Sequence, residues 1–279
     1  MKDDECVRFL QWALPRLGKR WPGFRKVRRQ VCRRIACRLR DLGVDNLVEY
    51  RRYLQANPAE WDTLDQLCRV TISWFYRDQR VFDRLASTVL PELALAAIDR
   101  GETKLCCWSA GCGSGEEPYT LALIWHQWLR KRFPGLTCEI VATDIDKAVI
   151  QRAHDGCYPV SSLKELPAGL AASFEKRGQF YFLPQHIRDL VTPMIQDIGY
   201  ESPAGRFHLI LCRNLVFTYF DRVRQQDVLT RLYDTLNGGG ALVLGNHEEL
   251  PGDPTLFDRW FPQLPIYKKR EGPVRSTVR

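Results

Sequence analysis

Apolar residues follow two different periods along the chain, and the change divides it near residue 100. Before that point they recur every three or four positions, as on one face of an α-helix. After it, short apolar runs typical of buried strands alternate with helical patterns, which indicates a mainly parallel sheet flanked by helices. We therefore predict an all-α N-terminal domain (residues 1–74), a linker helix (75–97) and a doubly wound α/β domain (98–279).

Local signals place the individual elements. An amphipathic pattern from Val27 to Leu42 predicts one helix that Gly43 would end, and Asp45 is the expected cap of the next helix, which runs to Leu54. Other predicted helices cover residues 61–70, 81–93, 119–132, 147–154 and 224–236, and predicted strands cover 105–109, 139–143, 207–212 and 241–244.

The segment before the third predicted strand has an irregular pattern. Two short runs rich in β-forming residues, at 180–182 and 190–192, predict a small β subdomain inserted at about residues 178–197. The sequence contains no internal repeat or low-complexity tract.

Positive charge is concentrated in one part of the chain. The whole sequence has 41 lysines and arginines against 33 acids, a net charge of +8. Residues 1–60 hold fifteen of those bases and seven of the acids, so the remainder is neutral. Ten bases, with no acid among them, lie between Lys19 and Arg40. A helix face with charge of one sign favours docking of an acidic partner over a merely solvated surface.

The cysteines and the hydropathy of the chain bear on its compartment. Ten cysteines are present, but no Cys-x-x-Cys pair occurs, and Cys106 and Cys107 are adjacent in a predicted strand. We therefore expect reduced, mostly buried thiols and no metal site. The first residues have no secretory character and no apolar run approaches membrane-spanning length, so we expect a cytoplasmic protein.

The strand at 105–109 leads into a turn suited to close contact with a ligand. Gly111, Gly113 and Gly115 alternate there, which permits positive φ and an approach of the ligand to the backbone. Glu116 and Glu117 follow, where a dinucleotide would need a free helix N-terminus for its pyrophosphate. Carboxylates suit a cationic ligand instead. S-Adenosylmethionine carries an ammonium and a sulfonium, so the turn indicates a methyltransferase rather than an NAD-dependent oxidoreductase.

Polar residues follow two further predicted strands. Asp144 is placed to accept both ribose hydroxyls of an adenosine ligand, while Asp146 is the better candidate for capping the next helix. Arg213 and Asn214 come after the strand at 207–212. Because ligands of open α/β sheets bind beyond the carboxyl ends of the strands, we expect these residues to face one crevice.

Several ordered segments together resemble the CheR-type methyltransferases, which methylate glutamate side chains of chemotaxis receptors with S-adenosylmethionine. The matching segments are 71–77, 108–110, 115–119, 142–146, 212–214 and 219–221. Residues 33–53 are also similar to the family's basic, receptor-facing helix and the helix after it. The resemblance covers nearly the whole chain and implies a Rossmann-like class I methyltransferase sheet preceded by an all-α domain.

The resemblance also implies roles for residues at matching positions. Glu117 would contact the amino group of the cofactor and Asp144 its ribose. Arg77 would hold the substrate carboxylate and Tyr219 would orient it, as the catalytic pair. No metal is implied. The implied cofactor-binding residues are Thr71, Ser73, Arg77, Gly111, Gly113, Glu117, Asp144, Asp197, Ile198, Arg213 and Asn214, with Asp197 and Ile198 near the adenine.

The chain departs from the family pattern at three places. Four residues rather than three follow Asn214 before Tyr219, so either the tyrosine is shifted or Thr218 takes its place. Thr71 stands where asparagine is common, and the late Gly-His-Ser-Glu motif reads Gly-Asn-His-Glu at residues 245–248. We expect these changes to preserve cofactor binding and to bear on the acceptor.

Three functions fit these observations. The leading one is methylation of a glutamate carboxylate in an acidic protein, such as a chemoreceptor-like helical bundle, that docks on the helix near Arg28 to Arg40. The others are a related methyltransferase with another protein group or a small molecule as acceptor, and a non-catalytic docking protein that binds S-adenosylmethionine or its product S-adenosylhomocysteine. We expect a monomer without membrane insertion, and no nucleic-acid substrate because no base-flipping motif accompanies the arginines. For Arg77 the alternative is a surface salt bridge with Asp78 or Asp83.

Overall fold

The computed structural model describes residues 2–252 and 256–271, and its contacts group them into two compact units. Residues up to 71 form an N-terminal unit together with the segment 218–225, while 72–217 and the chain from 226 onwards form an α/β unit. The segment 218–225, which the sequence prediction assigns to the α/β domain, thus packs with the N-terminal helices. Within the described ranges no helix is both long enough and apolar enough to cross a membrane.

Short helices build the N-terminal unit, and their apolar faces meet in one core. Phe9, Ile35, Tyr50 and Leu64 lie in this core with almost no exposure to solvent. The strongly basic pattern beginning at Val27 forms one of the helices, as predicted. The helices are α1 (Asp3–Ala13), α2 (Trp21–Phe24), α3 (Arg28–Leu42), α4 (Leu47–Ala56) and α5 (Glu60–Leu67).

An ion pair fixes α3 against α5. Arg38 donates hydrogen bonds of 2.9 and 2.7 Å to the buried carboxylate of Glu60, and the Tyr50 hydroxyl donates a third at 2.8 Å. The Arg38 guanidinium holds the pKa of Glu60 below its usual range. One turn earlier, Arg34 donates to the backbone carbonyl of Arg69. Two arginines of the basic helix are therefore engaged inside the unit.

One pair of cysteines differs from the expectation that all thiols are reduced. Cys6 on α1 and Cys32 on α3 form a disulfide, with their Cα atoms 6.1 Å apart. For this pair the prediction is wrong. The cysteines are 26 residues apart and carry no spacing signal, and only the packing of α1 on α3 brings them together. The remaining cysteines are free thiols, of which Cys37 on α3 is exposed.

A seven-stranded sheet forms the α/β unit, in the order β6-β2-β1-β7-β8-β10-β9. The first five strands in this order are parallel, and β10 and β9 pair antiparallel at one edge. The doubly wound, Rossmann-like sheet predicted from the sequence is confirmed. The strands along the chain are β1 (Lys104–Ala110), β2 (Thr137–Asp144), β3 (Cys157–Pro159), β4 (Glu175–Arg177), β5 (Phe180–Phe182), β6 (Val191–Ile195), β7 (Phe207–Leu211), β8 (Leu236–Val243), β9 (Phe257–Arg259) and β10 (Ile266–Lys269).

Helices pack against this sheet, and two of them change winding along their length. A π-helical segment at 85–89 joins α6 to α7, and another at 125–129 extends α8. The predicted linker helix is thus two helices joined by a π-helical segment. The remaining helices of the chain are α6 (Gln79–Arg84), α7 (Leu90–Asp99), α8 (Glu116–Ile124), α9 (Lys147–Asp155), α10 (Ala168–Ala171), α11 (Gln185–Arg188), α12 (Val216–Tyr219) and α13 (Arg222–Thr235).

A small second sheet corrects the predicted insertion at about 178–197. Strand β5 pairs with β4 on one side and with β3 on the other. The run near 191, which we expected in the same subdomain, instead forms β6 and pairs in parallel with β2. Since β6 is an edge strand with alternating exposure, its sequence resembles that of a surface hairpin strand.

In each of two loops, only one of two nearby polar residues caps the helix that follows. Asn46, not Asp45, caps α4, since its side chain accepts from the backbone N–H groups of Val48 and Glu49 at 3.0 Å. The cap predicted for α9 is confirmed, because Asp146 accepts from the N–H of Ala148 at 2.8 Å. This leaves the preceding Asp144 for other contacts.

Candidate active site

The strand order places a crevice beside the carboxyl ends of β1 and β7. The chain runs from β1 outward to β2 and β6 on one side, and through β7 and β8 on the other. At such a reversal point adjacent loops diverge and leave a crevice that ligands occupy. Gly111 follows β1, Arg213 follows β7, and Asp144 ends β2. The topology therefore brings the predicted strand-end residues to one edge of the sheet.

Glycines in the turn after β1 are required by close packing. Gly111 has φ 75°, and a Cβ there would lie 2.3 Å from the Leu215 side chain. Gly115 has φ 94°, and its Cβ would lie 2.9 Å from the Tyr158 hydroxyl. A side chain at either position is disfavoured by both the backbone conformation and the space available. The turn therefore presents backbone rather than side chains to the crevice.

The carboxylate of Asp144 is anchored on both oxygens. One oxygen accepts from the Gly113 N–H and the other from the Asp146 N–H, each at 3.0 Å. The carbonyl of Thr143 accepts from the N–H groups of Gly111 and Cys112 at 2.8 and 2.9 Å. The end of β2 thus holds the glycine turn in place, and the turn in return orients the Asp144 carboxylate. A carboxylate oxygen can accept more than one hydrogen bond, so these contacts are compatible with acceptance from a ligand hydroxyl.

Glu117 lies between a hydroxyl and a guanidinium. Ser109 Oγ donates to one of its oxygens at 2.8 Å, and Arg213 Nη1 donates to the other at 2.9 Å. The side chain of Glu117 is largely buried, and that of Arg213 is 2% exposed. The crevice therefore contains a carboxylate held in a defined orientation beside a buried positive charge.

Arg213 also joins the crevice to the segment before α6. Its Nη2 atom donates to Asp78 Oδ2 at 2.5 Å and to the carbonyl of Arg77 at 3.1 Å, while its guanidinium lies 5.2 Å from the centre of the Phe82 ring. The Nε atom is buried without a hydrogen-bond partner among the described residues. A ligand acceptor can complete this donor set. The sequence predicts Arg213 in the site but gives no sign of its pairing with Asp78.

Two residues of the segment that Arg213 contacts have a left-handed backbone conformation. Tyr76 and Asp78 have φ of 60° and 66°, values uncommon for residues other than glycine. Tyr76 is held by its N–H, which donates to Thr120 Oγ1 at 3.1 Å, and by its hydroxyl, which donates to Asp83 at 2.9 Å. Among the described residues Asp78 pairs with Arg213, and Arg77 forms no salt bridge with Asp78 or Asp83, so that alternative for Arg77 is wrong.

The side chain of Arg77 folds back on its own segment. Its Nη1 atom donates to the carbonyl of Ile72 at 2.6 Å, and its guanidinium lies 4.9 Å from the centre of the Trp74 ring. Lys164 Nζ lies 3.7 Å from the centre of the same ring. Within the described ranges neither cation forms a salt bridge. Two unneutralised positive charges therefore share one indole, and the sequence prediction missed Lys164.

Glu116 and Glu117 have different environments, although the sequence treats both as ligand-facing. Glu116 is 5% exposed, and the Ser162 hydroxyl donates to its Oε1 atom at 3.5 Å. Burial raises the pKa of Glu116, and its Oε2 atom has no hydrogen-bond partner among the described residues. Ser73, expected at the cofactor, acts to lower the pKa of Glu116, against the effect of burial, and its contact with the cofactor stays a prediction. The carboxylate with contacts at the crevice is that of Glu117.

The predicted adenine loop follows β6 and is held by its own contacts. Asp197 Oδ1 accepts from the Gly199 N–H at 2.8 Å. Arg231 Nη2 donates to the carbonyls of Ile198 and Gly199, both at 2.8 Å. Ile198 is buried, and neighbouring Ile195 is half exposed. The loop therefore has a fixed backbone and an apolar side chain at its edge, and its contact with adenine stays a prediction.

Two predicted site residues belong to the N-terminal unit. Thr71 is exposed at the end of that unit. Tyr219 lies in the segment 218–225, where its ring meets Phe24 edge-on with centroids 5.0 Å apart and its carbonyl accepts from the Arg20 N–H at 2.9 Å. Their roles toward cofactor and acceptor stay predictions.

Comparison with known proteins agrees with this geometry. Residues 71–263 match the family model of the CheR methyltransferase, SAM binding domain, and residues 26–65 match that of the CheR methyltransferase, all-alpha domain. The chain is 32% identical over 231 residues to the chemotaxis protein methyltransferase of Salmonella typhimurium, which covers 79% of this chain and 76% of that one. It is 26% identical over 238 residues to the chemotaxis protein methyltransferase of Borreliella burgdorferi, covering 80% and 81%.

Asp144→Ala tests the ribose contact. We expect the dissociation constant for S-adenosylhomocysteine to rise about 30-fold or more, because hydroxyls lose a charged acceptor worth roughly 2 kcal/mol. Isothermal titration calorimetry measures the effect. Glu139→Ala is the matched control, since Glu139 is an exposed acid on the same strand. Equal affinities of the Asp144 variant and the wild type would remove Asp144 from the cofactor site.

Proposed function

Because this chain belongs to the CheR methyltransferase family, we propose that it transfers a methyl group from S-adenosylmethionine to a glutamate carboxylate of an acidic protein. The family assignment makes it an S-adenosylmethionine-dependent methyltransferase. The carboxylate acceptor is the proposed part. The observation that carries it is the pair of unneutralised cations, Arg77 and Lys164, on the Trp74 ring.

The crevice residues fit the cofactor. S-Adenosylmethionine supplies, when bound, a methyl group already activated by a positively charged sulfur. Asp144 can accept from ribose hydroxyls, and Glu117 can accept from an ammonium while Arg213 keeps its orientation fixed. The buried Nε–H of Arg213, which lacks a partner among the described residues, is a donor available to an acceptor group of the ligand.

A glutamate acceptor needs orientation more than activation. Its carboxylate is already ionised at neutral pH, since the ordinary pKa is about 4.3, so no base has to remove a proton. An arginine can hold a carboxylate through two parallel hydrogen bonds, and holding reacting groups in one orientation lowers the barrier. We assign this task to Arg77, whose carbonyl is already fixed by Arg213.

The charge around Trp74 favours an anionic acceptor. Like charges on Arg77 and Lys164 repel each other, and a carboxylate placed between them would be attracted by both. A neutral hydroxyl or an amine acceptor gains nothing from this arrangement. Lys164 is exposed, so it can reach an incoming side chain without a rearrangement of the core.

One feature favours a second candidate, a family member that methylates another protein group or a small molecule. Four residues rather than the family's three separate Asn214 from Tyr219, so the tyrosine is shifted or Thr218 takes its place, and the Tyr219 ring packs against Phe24. A displaced tyrosine would orient the acceptor differently. The two candidates differ in chemistry, because methyl esters of carboxylates are hydrolysed by mild alkali whereas N- and C-methyl groups are stable.

The exposed part of α3 supports docking of an acidic partner. Arg34 and Arg38 are engaged within the N-terminal unit, so they are not free for a partner. Arg29, Arg33 and Arg40 are exposed and follow one another at helical spacing along α3. We call these three the docking stripe. A stripe of this kind attracts an acidic helical bundle over a Debye length of about 8 Å at physiological salt.

Arg77→Ala tests both the acceptor class and the role of Arg77. The wild type should transfer labelled methyl groups to an acidic receptor-type protein in a form released by mild alkali. The variant should lose about 100-fold or more in transfer rate, with affinity for S-adenosylhomocysteine changed only a few-fold, because orientation is lost and not cofactor binding. Arg80→Ala, an exposed arginine nearby, is the control. Alkali-stable label would support the second candidate, and equal losses in rate and affinity would assign Arg77 to the cofactor.

Charge reversal of the docking stripe tests the partner surface. Arg29→Glu, Arg33→Glu and Arg40→Glu together should slow methylation of an acidic receptor-type protein at least about tenfold at low salt, because electrostatic steering is lost. Affinity for S-adenosylhomocysteine should stay unchanged. The same reversal at Arg130, Lys131 and Arg132, three exposed residues of the α/β unit, controls for net charge. If both reversals slow methylation equally, the stripe is not a docking surface.

A further inference from the structure

A buried carboxylate after β8 binds the turn that carries Asn214. Glu248 is 3% exposed, and its Oε2 atom accepts from the N–H of Asn214 at 2.8 Å and from the N–H of Gly245 at 2.7 Å. The Glu248 N–H in turn donates to the Gly245 carbonyl at 2.9 Å. One oxygen therefore links the loop after β7 to the loop after β8.

This contact explains which part of the late motif matters. In the sequence Gly-Asn-His-Glu at 245–248, the middle residues Asn246 and His247 are exposed, while Gly245 and Glu248 are buried. A Cβ on Gly245 would lie 2.7 Å from Asn214 Oδ1 and 2.8 Å from Glu248 Oε2. The first and last residues are thus constrained by contacts, and the altered order in between falls on the surface.

The turn that Glu248 binds has an unfavourable backbone conformation. Asn214 has φ 55°, in the left-handed region that few residues other than glycine adopt. Such a conformation costs free energy and persists only where surrounding contacts enforce it. The Asn214 N–H donates to Glu248, and the Asn214 side chain packs against Gly245 in space that a Cβ would need. The preceding residue is Arg213, whose guanidinium pairs with Glu117 and Asp78.

We propose that Glu248 is a positioning residue for cofactor binding, which acts by holding the Arg213–Asn214 turn in its left-handed conformation. Glu248 touches backbone N–H groups of the turn and acts on the ligand through Asn214 and Arg213. The inference rests on the proposal that these two residues line the cofactor pocket. It does not depend on the acceptor, so it can hold even if glutamate methylation fails.

Variants of Glu248 separate the reach of its side chain from its charge. Glu248→Gln keeps an oxygen at the same distance and loses the charge, so affinity for S-adenosylhomocysteine should stay within about threefold of the wild type. Glu248→Asp keeps the charge but withdraws the oxygen by one methylene, and affinity should fall about tenfold or more. Glu249→Asp is the matched control, because Glu249 is exposed. Calorimetry on the full chain gives the affinities, and thermal unfolding confirms that each variant folds.

A double-variant cycle distinguishes positioning from general stabilisation. In an Asn214→Ala background the part of the effect that passes through the Asn214 side chain is absent, so Glu248→Asp should weaken binding by a smaller factor than in the wild-type chain. With Asn214 unchanged, protection of the Asn214 amide from hydrogen exchange should fall on Glu248→Asp and be retained on Glu248→Gln. The proposal is overturned if the Asp variant binds like the wild type, if the Gln variant is as weak as the Asp variant, or if the loss is the same in both backgrounds.

Discussion

The crevice depends on the ion pairs and hydrogen bonds that the buried Arg213 guanidinium forms. It pairs with Glu117 at the start of α8 and with Asp78 before α6, and it donates to the carbonyl of Arg77. A buried guanidinium is costly unless its donors are matched, and removal of one partner of such a pair leaves an uncompensated charge. Three segments far apart in sequence are therefore held to one position at the end of the sheet. The start of α8, which follows the glycine turn, and the segment at Arg77 and Asp78 are parts of the same network.

Uncommon backbone conformations surround this network. Left-handed φ occurs at Tyr76 and Asp78, in the segment that Arg213 contacts. It also occurs at Asn214, the residue that directly follows Arg213. Such conformations are stored where surrounding contacts over-determine them, and they are frequent at functional sites. Here the backbone groups beside these residues are held by side chains, since Thr120 accepts from the Tyr76 N–H and Glu248 from the Asn214 N–H. These conformations lower the stability of the fold, and the contacts that enforce them orient the groups of the site before a ligand binds.

Sequence patterns predict those parts of the site that depend on neighbouring residues. The glycine turn, the cap at Asp146 and the position of Asp144 after a buried strand follow from local spacing, and the structure contains all three. Contacts between distant segments have no such signal. Three features depend on packing that only the folded chain shows. These are the burial of Glu116, the Cys6–Cys32 disulfide and the placement of β6 in the main sheet.

Cofactor affinity of Arg213 variants tests the central role of this residue most directly. Arg213→Met leaves Glu117 and Asp78 without their shared cation, and we expect the dissociation constant for S-adenosylhomocysteine to rise about 100-fold or more, roughly 2.7 kcal/mol, because the Glu117 carboxylate loses the group that orients it. Lysine cannot reach both carboxylates at once, so the dissociation constant of Arg213→Lys should lie between those of the wild type and Arg213→Met. A folded Arg213→Met variant that binds S-adenosylhomocysteine as tightly as the wild type would contradict the account.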